Sequence, residues 1–229
     1  MLAAMQDARP TTTPAFSEVR FRDLADRALL KVAPDGLASA ESDGASGPSD
    51  FDLNPELIAE LAEHHAPRPA AVLVPIVGHA DLTVLLTQRT DHLAHHAGQI
   101  SFPGGKIEEG DRDAVATALR EAQEEIGLDP RFVEPLGFLD PYRTGTGYRI
   151  VPVVAIVHQG FELKLDPNEV ADAFEVPLTF LMDAENHATH VRSWRGVERR
   201  FYAMPFEQRY IWGATAGIMK NMHQRLFSA

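Results

Sequence analysis

Residues 98–128 read GQISFPGGKIEEGDRDAVATALREAQEEIGL, and the fold turns on how they are read. From about residue 112 the apolar side chains Val115, Leu119, Ala122 and Ile126 recur at intervals of 4, 3 and 4. That spacing predicts a helix over about 112–126 with those four as its buried stripe. Asp111 or Asp113 suits the N-cap, and Gly127 suits a left-handed stop. Glu121, Glu124 and Glu125 are then expected to project together, away from the stripe, as one acidic patch at the helix end. Like charges at these spacings repel by roughly 0.2–0.5 kcal/mol per pair, where the helix dipole is already negative. Such a patch is either a solvated acidic face or a set of hard oxygen ligands for a divalent cation, normally magnesium. The loop before the helix favours the cation. Gly104 and Gly105 permit unusual backbone angles and close approach of a ligand or metal to the main chain.

Working outward, PAAVLVPIVG (69–78) and DLTVLLTQR (81–89) are apolar branched runs joined at a turn, a predicted hairpin. Further strands are expected at 99–102, 133–138, 148–157, 161–165, 172–178, 187–194 and 199–206. A second helix is expected at about 213–227, with Ala214, Ile218, Met222 and Leu226 facing a core. This order predicts an α/β (α+β) fold, a mixed sheet sandwiched between helices. Upstream, residues 16–30 and 54–65 are read as short accessory helices, the latter with Asn54 as N-cap. The polar, small-residue stretch 35–50 is read as a linker. Residues 1–66 are thus expected to form an extension and 67–229 the catalytic domain, so removing 1–50 should leave that domain working.

Bulk composition narrows the classes. The 229 residues are 45% apolar, enough for a buried core. With 21 basic and 33 acidic residues the formal charge is −12, which opposes nucleic-acid binding. Cysteine is absent, which removes thiolate metal sites and cysteine nucleophiles. No apolar run is long enough to span a bilayer, and residues 1–16 lack a secretory signal pattern. A cytoplasmic protein with no membrane partner is the expectation.

Gly105, Arg120, Glu121, Ala122, Glu124, Glu125, Gly127 and Leu128 resemble the Nudix box, G-x5-E-x7-R-E-U-x-E-E-x-G-U, where U is apolar. Asp111 stands at the place of the first Glu, with eight residues before Arg120 instead of seven. Upstream, Leu85, Leu86, Thr87, Arg89, Gly98 and Phe102 to Gly105 resemble the element of the coenzyme A pyrophosphatase branch, L-L-T-x-R-S/A-x3-R-x3-G-x3-F-P-G-G. Thr90 and Ala94 depart from it. YIWGATAGI (210–218) resembles that branch's closing helix.

The resemblance implies a Nudix-type α/β/α sandwich and hydrolysis of a nucleoside diphosphate linked to another group. Coenzyme A or a derivative would yield adenosine 3',5'-bisphosphate and 4'-phosphopantetheine or its acyl form. It implies Mg2+ or Mn2+ held by Glu121, Glu125 and the Gly105 carbonyl, with Glu124 as a further ligand through water or as the base. Arg120 would orient the acidic side chains. Glu169 is a second candidate base, because loops carry catalytic groups and the family often uses an acid from this region. Arg89, Gly104, Lys106 and Arg143 are the candidate substrate contacts, with Arg149 also available. His92, His95 and His96 lack a fourth ligand for zinc. ADP-ribose, NADH or another nucleoside diphosphate derivative is the alternative substrate, and a non-catalytic ligand sensor the alternative class. A homodimer is left open as the assembly.

Overall fold

The computed structural model describes residues 16–34, 47–55, 67–92, 96–194 and 197–227. Its strands are β1 (Arg68–Val77), β2 (Thr83–Arg89), β3 (Ile100–Ser101), β4 (Gly104–Lys106), β5 (Val133–Phe138), β6 (Tyr142–Arg143), β7 (Tyr148–Val157), β8 (Val170–Pro177), β9 (Ala188–Trp194), β10 (Val197–Phe206) and β11 (Arg209–Trp212). The helices are α1 (Glu18–Ala28), α2 (Ala114–Ile126), the short α3 (Leu178–Leu181) and α4 (Ala214–Phe227).

β1 and β7 are buried on both faces, as their near-continuous Val, Ile and Leu runs require, and they pair in parallel from Arg68↔Tyr148 to Val77↔Val157. Around this pair an eight-stranded mixed sheet assembles in the order β3-β2-β1-β7-β5. β4 adds to β1, β6 to β7 and β8 to β2. Alternation along the central strands feeds two cores. Val74, Ile76, Val154 and Ile156 point to one side, where α1, α4 and a separate sheet β11-β10-β9 pack. Leu73, Val77, Val153 and Val157 point to the other, where α2 packs. The expected α/β/α sandwich is therefore the observed architecture.

The α2 stripe, the outward glutamate patch and the strand at 161–165 are corrected here. The buried stripe of α2 is Ala114, Ala118, Ala122 and Ile126, with Thr117 and Glu125, while Val115 and Leu119 are only half-buried. Small alanines let the helix lie close to the sheet, so Glu125 falls on the buried side and the three glutamates do not form one outward patch. FELKL at 161–165 is not a strand. An amide of this stretch and that of the residue just after it cap α2 instead, Lys164 N–H donating to the Ile126 carbonyl at 2.8 Å and Asp166 N–H to that of Glu125 at 2.9 Å. Asn54 grips β10, its Oδ1 accepting from Arg200 N–H at 2.8 Å and its Nδ2 donating to the Arg200 carbonyl at 2.8 Å. The helix expected after Asn54 falls at 56–65, outside the described residues. β4, β6 and β11 were not anticipated.

Candidate active site

The site forms where β4 passes the C-terminal half of α2. Pairing of Gly104 with Val72 brings β4 so close to β1 that a Cβ on Gly104 would overlap the Ala71 carbonyl and the Val72 backbone. Its φ of +155° is also one that side chains disfavour. Only glycine fits, and its N–H then donates to Glu125 Oε2 at 3.1 Å. At Gly105 a Cβ would run into the carboxyl group of Glu121, so this glycine leaves the room that the carboxylate occupies.

Arg120 organises the other acids. Nε and Nη2 donate to the two oxygens of Asp111 at 3.0 and 2.9 Å. Nη1 donates to Glu121 Oε1 at 3.0 Å and Glu124 Oε2 at 2.9 Å, and Nη2 also to the Lys106 carbonyl at 3.2 Å. Asp111 additionally accepts from Glu108 N–H at 3.0 Å and Thr117 Oγ1 at 2.9 Å. The longer spacing and shorter acid thus still close the bidentate pair, and Arg120 holds the Asp111 carboxyl well below the usual carboxylate range. Asp113, not Asp111, is the N-cap, accepting from Ala116 N–H at 2.8 Å.

Glu125 is 5% exposed, and burial pushes its carboxyl up to about 8 against the pull of the Gly104 N–H. The charges of Glu121 and Glu169 push the same way, and that of Arg89 opposes them. Burial likewise raises Glu121, against Arg120 and with Glu124 and Glu169 adding to the rise. Glu169 therefore sits near enough for its charge to act on both. It is positioned by the loop that caps α2, through Glu169 N–H to the Asp166 carbonyl at 3.1 Å and Thr90 N–H to the Glu169 carbonyl at 3.0 Å. Arg89, at the end of β2, places Nη1 3.8 Å from Glu125 Oε1.

The structure thus gathers Arg89, Gly104, Gly105, Arg120, Glu121, Glu124, Glu125 and Glu169. Lys106 lends its carbonyl while its side chain is exposed. Arg143 is exposed on β6, and among the described residues it makes no hydrogen bond or ion pair to the others. Register nonetheless sets Lys106 beside Ala70, Pro69 beside Arg149 and Arg149 beside Arg143, so these cations share one end of the sheet. Of the histidines, His96 bonds Gln99 at 2.7 Å, and His95 lies outside the described residues. Thr117 and the Glu108 amide were missed from the sequence, since nothing in the helix pattern marks a hydroxyl or a loop amide as a partner for Asp111.

The chain belongs to the Nudix hydrolase family. The NUDIX domain matches residues 67–195, starting where the sheet starts. The uncharacterized Nudix hydrolase NudL of Escherichia coli K12 is 39% identical over 170 residues, 74% of this chain and 87% of that one. Among solved structures, a MutT/nudix family protein from Enterococcus faecalis is 20% identical, over 76% of this chain and 71% of that chain, with a TM-score of 0.46. The NUDIX domain of Shewanella oneidensis NrtR, complexed with ADP ribose, is 26% identical over 55% of this chain and 83% of that chain, with a TM-score of 0.39.

Nudix hydrolases generally use divalent metal ions. Among the described residues no three His, Asp or Glu side chains converge as a ready cage. Arg120 takes up Glu121 and Glu124, while the Gly104 N–H takes up Glu125. The donors that remain fit a hard cation all the same. Half-buried Glu121 and buried Glu125 both lie against the Gly104–Gly105 backbone, with no nitrogen or sulfur ligand type among these donors, and the missing Cβ of Gly105 is what lets the Glu121 carboxylate come so close.

Proposed function

We propose that the protein is a metal-dependent pyrophosphohydrolase acting on coenzyme A or its derivatives, with 67–229 as the catalytic domain and 1–66 as its extension. The observation that supports this substrate is the place of Arg89, the cation of the upstream L-L-T-x-R element, 3.8 Å from Glu125 of the Nudix box. The two motifs meet in one site.

Mg2+ or Mn2+ would be held by Glu121, Glu125 and the Gly105 carbonyl, with Glu124 reaching it through water. Bound there, it would neutralise the pyrophosphate and acidify a water. Glu169, exposed and near enough for its charge to act on both glutamates, takes the proton from the water that attacks phosphorus. The bridging P–O bond breaks as the new one forms. Arg89 carries charge to the phosphate oxygens, as do Lys106 and Arg143 at the end of the sheet, with Gly104 letting substrate approach the backbone. Arg120 sets the positions of Asp111, Glu121 and Glu124.

The test is chromatography of products from coenzyme A with magnesium. Equal amounts of adenosine 3',5'-bisphosphate and 4'-phosphopantetheine are expected. Faster cleavage of ADP-ribose or NADH with coenzyme A left intact would overturn the substrate. No cleavage of any of them with either metal would overturn catalysis in favour of a ligand sensor.

A further inference from the structure

The small sheet β9–β11 has one face spoken for. Met204 and Ile211 join the core against α4, and Tyr202 lies 4.8 Å from Lys220 Nζ. The opposite face is unclaimed by the mechanism above. Because antiparallel partners share a face, the register sets His190 with Phe201, Trp212 with Ala203, Tyr210 with Pro205 and Arg192 with Arg199 on it. These rings form a continuous aromatic surface. His190 and Tyr210 stack with centroids 5.8 Å apart, and Phe201 meets Trp212 edge-on at 5.2 Å.

Over this face lies a cavity of about 610 Å³ lined by His190, Arg192, Phe201, Tyr210 and Trp212 among others. A second, of about 390 Å³, shares Tyr210 and Trp212 and runs on to Gln88, Gly98 and Ile100. That route ends one strand position from the active site. Gln88 precedes Arg89, and Arg89 N–H donates to the Gln99 carbonyl at 3.0 Å.

The charge of the face narrows its occupant. In a chain of net charge −12, this face carries Arg192 and Arg199 as cross-strand partners on β9 and β10. Arg192 makes no ion pair among the described residues, and its charge is felt by the Tyr210 hydroxyl. Flat rings with an uncommitted guanidinium suit a planar base that carries phosphate. A second copy suits them less, since two β9 strands paired antiparallel about Val191 would set Arg192 against His190.

We infer that the outer face of β9–β11 is a nucleotide subsite, where the purine base of the substrate stacks on the rings around Tyr210 and Trp212 and its phosphate meets Arg192. This rests on the reading of the protein as a nucleotide pyrophosphohydrolase, and it locates that enzyme's base-recognition surface.

The test uses the full chain and adenosine 3',5'-bisphosphate as probe, read by quenching of tryptophan fluorescence. Arg192→Ala and Tyr210→Ala change exposed side chains, and thermal melts check that both fold. Each is expected to weaken the probe about tenfold, within the range for losing one base stack at Tyr210 or one charge-assisted hydrogen bond at Arg192. The same variants should raise KM for coenzyme A about tenfold. Quenching and KM within twofold of wild type in both variants would overturn the subsite, as would sedimentation showing that they dissolve a wild-type dimer. Probe binding that depends on Tyr210 and Arg192 in a protein that cleaves no pyrophosphate would support the subsite and sink the enzyme reading alone.

Discussion

A guanidinium has five N–H donors, and in Arg120 all five are used, on two oxygens of Asp111, one each of Glu121 and Glu124, and the Lys106 carbonyl. This is how one helical turn tolerates its crowded acids. Lysine keeps the charge but not the planar fork, so Arg120→Lys should lower both stability, by about 1–3 kcal/mol, and turnover. Urea unfolding beside the activity assay checks it, and an unchanged midpoint would mean the network carries no weight. Glu121→Gln and Glu125→Gln should each cost about 100-fold or more in turnover while the protein stays folded. Turnover within threefold of wild type in both would remove them from the metal site. Glu125 also sets a pH dependence. Its metal-free carboxyl is raised to about 8, above its unfolded value, so the stability it contributes is present in acid and lost as pH rises through about 8. A cation must displace that proton, so Mg2+ affinity should climb up to tenfold per pH unit towards about 8 and then level off. Calorimetric titration across pH 6 to 9 reads this directly, and a flat profile would contradict a protonated Glu125. Glutamates 121, 124 and 125 were legible because they sit in a motif. Their division of labour was not, because exposure differs within one turn only once α2 is laid on the sheet.

At the scale of elements, α2 depends on the loop that ends it. Gly127 has a φ of +68°, as its place after Ile126 led us to expect, and a Cβ there would meet the Lys164 backbone at 2.9 Å. Gly127→Ala should therefore lose about 1–3 kcal/mol, from the left-handed backbone and from displacing residue 164. It should slow turnover as well, since the same loop positions Glu169. A variant with the wild-type melting temperature would show that the loop is not seated on the helix. The loop also explains why a strand was expected at 161–165. Phe161, Leu163 and Leu165 alternate with Glu162 and Lys164, a period of two that reads as a strand when nothing else competes for the backbone. Here the exposed carbonyls of α2 compete for it, and that demand lies in another part of the chain. The long strands β1, β2 and β7 were readable because both sides of each are apolar. β4, β6 and β11 are held by register with longer neighbours, which local pattern does not carry.

For the whole molecule, the question is where the domain begins. The family match begins at residue 67, and the polar stretch 35–50 suggested an arm that could be removed. The packing argues otherwise for the parts that are described. Phe16, Phe21, Ala25 and Leu29 are buried in the core shared with α4, and Arg22 makes paired bonds to Glu134 at 2.8 and 2.7 Å. Arg225 Nη1 donates to the Ala28 carbonyl at 2.8 Å. Further on, the half-buried Asp50 accepts from Tyr142 Oη at 2.8 Å and Gly145 N–H at 2.7 Å, while Arg143 N–H donates to the Pro48 carbonyl at 3.1 Å. These bonds clip the arm onto the loop that carries Arg143. A helix whose apolar face is short reads as an accessory from sequence, because its partners, Glu134 and Arg225, lie more than a hundred residues away. Deleting 1–50 should therefore uncover the α4 core and yield an insoluble or much less stable protein, and Phe21→Ala alone should cost about 3–5 kcal/mol. Asp50→Asn keeps the volume, so its effect should fall on KM through the Arg143 loop more than on stability. Soluble expression, melting and KM for the three proteins separate the possibilities. A truncated chain that melts within a few degrees of the full one would mean that α1 only lies against the sheet, and that the domain does begin at residue 67.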